Sequence, residues 1–255
     1  MEKIFTIIFG VVSIAFMTGA CASANKTVNA EYDVSNLRQL PLRQQKIALI
    51  AALSASGDIV RLKQVLVEGL EASLTVNEIK EVLIHTHAYA GFPRALNAIN
   101  AFIDVMDERE AAGIQDVYGP EPSPVIMNNK YQYGFDVLAR LRDPNYVPGQ
   151  IVTPPQPRYE TFTPIIEIFL KEHLFASLFG RDVLDYLSRQ IATVGVISNL
   201  PGTNAQLRSH IGLTMVQGAS EEQMRHLFIM MGTYIGKERS DNALAVLREA
   251  VNSRN

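Results

Sequence analysis

The chain has 255 residues, 47% of them hydrophobic and 19% charged, and a formal net charge of -3. That length allows two compact units of roughly 100 to 150 residues each, and the apolar content excludes a disordered chain. A slightly acidic balance without a broad basic footprint excludes nucleic acid as the expected partner.

In chain order, Lys3 precedes an apolar run from Ile4 to Met17, and small residues follow from Thr18 to Ala24. This is the layout of a secretory signal peptide, too short to favour a spanning helix. Residues 1–24 are therefore expected to direct export. Two processing routes stay open. Ala20-Cys21-Ala22 and Ala22-Ser23-Ala24 both suit ordinary cleavage and a periplasmic product, whereas Gly19-Ala20-Cys21 resembles a lipobox and would make Cys21 the anchored N-terminus of a lipoprotein. Membrane contact is expected through that anchor alone, and the single cysteine allows no internal disulfide.

Residues 25–36 read as a polar spacer, after which helical periodicity dominates and strand alternation is hard to find, so the fold class is all-α. Helices are predicted at 44–54, 60–71 and 75–89, the last opening with the capping-box pattern Thr75-Val76-Asn77-Glu78. Gly91-Phe92-Pro93 stops that helix and another is predicted at 94–110. The Pro-bearing run around 117–130 reads as a linker between a first domain, 37–116, and a second, 131–255. The second opens with a short helix at 135–142 and a Pro-rich stretch at 144–164 in which no regular element is expected. Helices resume at 165–178, 182–198, 204–217, 220–234 and 240–253.

One constant shift of 145 carries Tyr89 onto Tyr234, and also Gln45 to Gln190, Gly57 to Gly202, Leu62 to Leu207 and Ile84 to Ile229. It further carries Gly91 to Gly236, Arg94 to Arg239, Asn97 to Asn242 and Ala98 to Ala243, without a gap. Chance would give about three identities in such a window at roughly 6% per position, so a duplication is indicated. Gly91 and Gly236 are expected as helix C-caps. Arg94 and Arg239, just beyond those stops, could hold a carboxylate or serve in surface ion pairs.

The segment Tyr89-Ala90-Gly91-Phe92-Pro93-Arg94, preceded by Glu78 to His85, resembles the signature of the carboxymuconolactone decarboxylase family. In the second half, Leu187-Ser188-Arg189-Gln190, Leu207-Arg208-Ser209-His210 and Gly218-Ala219-Ser220-Glu221 resemble other parts of the same pattern. The resemblance implies two family-like helical repeats forming a pseudo-dimer, which assembles further into a homo-oligomer. It also implies a pocket containing His210. Two chemical classes exist in the family, proton-transfer decarboxylation of a lactone acid and the thiol chemistry of the alkyl hydroperoxide reductase D-like class. Thr203 and Gln206 stand where the thiol class would place its cysteines, and neither can supply a thiolate. The family's acid after Arg is replaced by Gln190, and by Gln45 in the first repeat, which can orient a ligand but cannot take a proton.

Glu81, His85 and Tyr89 are spaced i, i+4, i+8 and line one helical stripe, so an acid/base constellation is expected there. An ordinary Glu81–His85 pair at a helix interface is the competing reading. The matching stripe, His226, Met230 and Tyr234, has diverged, and Val65 stands opposite His210. The expected catalytic set is His210, His85, Glu81 and Tyr89, with Gln190, Gln45, Arg208, Arg94, Tyr234 and His87 as substrate-binding candidates. His87 also suits a satisfied core position, and His173 a solvated one. His85 and His87, two residues apart, diverge by about 200° on a helix, and no His-Glu-x-x-His pattern occurs. No metal and no cofactor are expected. The sequence therefore points to cofactor-free proton transfer on a small carboxylic acid or lactone, as in a lyase. Export argues against the family's literal reaction, and the two glutamines keep a non-catalytic ligand-binding or structural oligomer as the alternative.

Overall fold

A computed structural model describes residues 37–124, 127–152 and 157–253 of the chain, and the signal peptide, spacer and Cys21 lie outside the described residues. All regular structure in the described residues is helical. Helices α1 (Leu42–Ser56), α2 (Ile59–Glu71) and α3 (Val76–Ala111) form the first half. After α4 (Lys130–Arg142) come two short helices, α5 (Arg158–Phe162) and α6 (Pro164–Phe169), the latter running into a π-helical segment, Leu170–Phe179. The chain closes with α7 (Tyr186–Ile197), α8 (Asn204–Val216), α9 (Glu221–Ile235) and α10 (Lys237–Asn252).

Every residue of α1 from Ile47 to Ala55 is buried, and so is every residue of α7 from Ser188 to Ile197. A helix buried on all sides must occupy the middle of a core, and these two pack against each other there. Helices α2 and α3 from the first half, and α8, α9 and α10 from the second, wrap them in one continuous apolar cluster. A smaller cluster, built on Val137, Leu141, Leu174, Phe175 and Phe179, joins α4 to the π-helical segment and rests against Tyr89. Gly134 makes that layer thin, because a side chain there would collide with the Lys171 carbonyl.

Helices α2 and α8 begin and end 145 residues apart, and the α3 arm from Val76 to the Gly91 break matches α9 from Glu221 to Gly236. Both arms open with a complete capping box, Thr75 with Glu78 and Ser220 with Gln223. The segment after α3 is anchored where it meets the first of these. The Val117 and Tyr118 carbonyls accept from the Val76 and Asn77 amides at 2.9 Å, satisfying donors that a helix start leaves open.

Several sequence expectations are corrected. The two helices expected at 75–89 and 94–110 form one run broken only at Gly91, whose φ of 79° and ψ of 163° are not those of a left-handed C-cap. Gly236 repeats the conformation with φ 94° and ψ 151°. This region is open essentially to glycine alone, so both residues are hinges that turn the chain sharply into the next helix. The space around Gly91 is free, with Pro93 Cδ the nearest atom to an added Cβ at 3.6 Å. Gly91→Ala should therefore lose about 1–3 kcal/mol through backbone strain alone. Urea denaturation checks this, and an unshifted midpoint would refute it. The helix expected at 135–142 starts earlier, at Lys130, because Asn129 caps it through the Gln132 amide. The Pro-rich stretch carries α5 after all, with Pro157 tolerated just ahead of its first turn. The helix expected at 165–178 is α-helical only to Phe169 and then π-wound.

Candidate functional site

The stripe Glu81, His85, Tyr89 of α3 faces the polar residues of α7, and α8 adds His210 beside them. At the buried end, Glu81 receives Arg181 Nε and Nη2 at 2.6–2.9 Å and Arg189 Nη2 at 2.8 Å. Burial pushes the Glu81 carboxyl upward, but the hydrogen bonds and charges of the two arginines outweigh it and leave the group below its ordinary range. Arg189 is itself fully buried and also donates to the Arg181 carbonyl. Glu81 is thus a fixed anion whose oxygens are spent on guanidinium groups, and it is not the partner of His85.

His85 is fully buried, with its Nε2 2.8 Å from Thr193 Oγ1 and its ring edge-on to Phe179. Thr193 gives its own proton to the Arg189 carbonyl at 2.9 Å. The hydroxyl therefore accepts from His85 Nε2–H, and Nδ1 carries the lone pair. The same hydroxyl stands 3.4 Å from the Tyr89 hydroxyl. Burial first, then the charge of Arg189, holds His85 well below its ordinary range and keeps it neutral. Burial pushes the Tyr89 phenol upward, so it stays protonated.

His210 completes the set. Its Nδ1 lies 2.8 Å from Gln190 Oε1, and its ring is edge-on to Tyr89 with centroids 5.6 Å apart. A glutamine carbonyl accepts only from Nδ1–H, which makes Nε2 the acceptor nitrogen of the imidazole. Burial pulls the His210 pKa down to about 4.

Tyr89 and His210 line one cleft of about 490 Å³, closed on the far side by α4, α5 and the π-helical segment. Arg142, Lys171, Tyr159 and Glu160 come from that wall, and Gln206 and Ser209 from α8. Lys171 is almost completely buried, and its ion pair to Glu167 is long, 4.0 Å. The cleft therefore offers two cations, one carboxylate, a neutral imidazole and two phenols in a partly apolar surround, a set able to hold a small polar molecule.

The structure brings Glu81, His85, Tyr89, Gln190 and His210 together, but only Tyr89 and His210 of these line the cleft. Glu81 and His85 stand behind them, outside the cleft lining. Gln45 serves α1, donating to the Leu40 carbonyl at 2.7 Å. Arg94 lays its guanidinium over Gly57, and the matching Arg239 donates to Asn199 Oδ1 at 2.9 Å, so both close helix ends. Arg208 is exposed on α8. The Tyr234 carbonyl accepts from Arg61 at 2.9 Å, and its stripe neighbour His226 is buried, so the second stripe lies away from the cleft. His87 is also outside it and meets His173. Sequence reasoning missed Arg181, Thr193, Arg142 and Lys171. Arg189 was visible in the Arg-Gln pattern, but its burial was not.

Residues 26–104 match the model of the Carboxymuconolactone decarboxylase family. The chain is also similar to an uncharacterized protein of Methanocaldococcus jannaschii, 26% identical over 81 residues that make up 32% of this chain and 76% of that protein. The family match covers Glu81, His85 and Tyr89, and ends before Gln190 and His210.

Proposed function

We propose that this chain is a carboxymuconolactone decarboxylase-like enzyme that moves a proton on a small carboxylic acid or lactone, without a cofactor, in the cleft between α3, α8 and the α4–π wall. The observation that carries the proposal is the placing of His210 and Tyr89 in one cleft, with His210 held from behind by Gln190 at 2.8 Å and the Tyr89 proton left free because the Thr193 hydroxyl gives its own to the Arg189 carbonyl. His210 Nε2 accepts the proton, the Tyr89 hydroxyl donates a hydrogen bond to the oxygen where charge develops, and Arg142 and Lys171 hold the substrate's anionic group. In decarboxylation the substrate's carboxylic acid gives its proton to His210 Nε2, the carbon–carbon bond breaks to release carbon dioxide, and the electron pair left on carbon takes that same proton back from the imidazolium.

The two halves are proposed to be repeats related as a pseudo-dimer, supported by helix bounds, capping boxes and hinge glycines at one offset of 145. The acid/base set then survives in one of two equivalent places, because the other keeps Gln45 and Tyr234 but has Met230 and Val65 where the first has His85 and His210. Export through residues 1–24, with Cys21 either removed or lipidated, belongs to the same proposal and is read from the apolar run alone. Further self-association is supported by α6, which has no buried residue although Ile165, Ile166, Ile168 and Phe169 make up most of it.

A non-catalytic binding role is the second reading, favoured by the low basicity of His210 and by the glutamine beside it. Small carboxylic acids and lactones screened by thermal shift, with every stabilising compound assayed for turnover, separate the two. Turnover of a compound supports the enzyme; binding without turnover across the set supports the second reading.

A further inference from the structure

His87 on α3 and His173 in the π-helical segment are remote in sequence, yet their Nε2 atoms lie 2.9 Å apart. The His87 ring is held in two ways. Its Nδ1 bonds to the Ile84 carbonyl, and Phe92 stacks on its face with centroids 4.7 Å apart and planes 18° from parallel. Because a carbonyl can only accept, the proton of neutral His87 is on Nδ1 and the Nε2 lone pair is presented to His173. This is the arrangement by which metal-binding histidines are oriented, one ring nitrogen given to a backbone carbonyl and the other to the ion. His173 is exposed, so an ion can reach the pair from solvent.

We propose that His87 and His173 form a two-imidazole site for a divalent transition ion, separate from the cleft. The 2.9 Å contact is an N–H···N hydrogen bond in which His173 Nε2–H donates, and an ion would take the place of that proton. Two nitrogens each about 2.05 Å from one ion stand about 2.9 to 3.3 Å apart, which a small turn of the exposed His173 ring accommodates. Cu(II), which heads the affinity order of the divalent first-row ions, is the strongest probe of such a pair. Among the described residues no three His, Cys, Asp or Glu side chains converge on one point, so water or an added ligand fills the other corners. An ion held here ties α3 to the cleft wall, since His87 precedes Tyr89 by two residues and His173 follows Lys171 by two.

The test uses the untagged chain, stripped with a chelator and titrated with Cu(II), beside His87→Ala, His173→Ala and the double variant. Calorimetry gives the affinities, and pulsed electron paramagnetic resonance counts the coordinated imidazoles. The expected result is two imidazoles on the ion in the parent chain, and an affinity at least about tenfold lower in each single variant. The double variant should retain only background binding by other groups. Circular dichroism should be unchanged in His173→Ala, because that residue is at the surface, and it checks that the His87 variants keep the fold. An affinity in either single variant equal to the parent's, or one imidazole on the ion in the parent, overturns the site. Binding no tighter than in the double variant would leave the contact as a hydrogen bond between two rings and overturn it equally.

Discussion

Glu81→Ala is expected to destabilise the protein by about 3–5 kcal/mol, the largest effect of any single substitution near the site. Among the described residues the carboxylate is the only anion bonded to Arg189, which is fully buried, and it also holds Arg181. Removing it leaves two neighbouring guanidinium groups, one with no access to water, and burial already pulls Arg189 below its ordinary range. Glu81→Gln keeps the shape and loses the charge, so it should fall between parent and alanine. Denaturant unfolding of the three proteins checks the order. A Glu81→Ala variant as stable as the parent would mean that Arg189 finds another partner.

The same groups set the acid sensitivity. Glu81 is held below its ordinary value of 4.5, so its contribution is complete above about pH 4.5 and is lost as pH falls through the folded value. His210 is held at about 4 against an ordinary 6.5. The unfolded chain therefore binds more protons between those values, and stability falls as pH drops from 6.5 toward 4. His85, also lowered, acts in the same direction. His210→Ala should flatten the upper part of this decline and leave the part below pH 4.5 in place.

His210→Ala is expected to lower turnover by about 100-fold to 10,000-fold once a substrate is in hand, the range of positioned proton transfer. It should do so with the fold intact, because the ring sits at the cleft lining rather than in the central core. Gln190→Glu supplies the complementary result. A carboxylate in place of the amide would face His210 Nδ1–H across 2.8 Å, stabilise the imidazolium and raise its pKa. The variant should turn over substrate faster, and the acid limb of its rate profile should move to higher pH. Parent-level turnover in His210→Ala would remove the imidazole from the mechanism.

From the sequence by itself came the helical class, the 145-residue correspondence and the stripe of Glu81, His85 and Tyr89, because these depend on local periodicity and on identities at fixed spacing. Helix spacing fixes which side chains share a face, so the stripe could be read before any packing was known. It could not say what that face meets. The tertiary structure decided that Glu81 is spent on Arg181 and Arg189, that Thr193 lies between His85 and Tyr89, and that Gln190 holds His210. It also decided that the Pro-rich stretch and the π-wound segment bring Lys171 and His173 back against α3, where a pattern of prolines had suggested only a connector. Each of these depends on contacts between residues far apart in the chain, whose ordering cost is met by burial of the whole core and leaves no signature in local spacing.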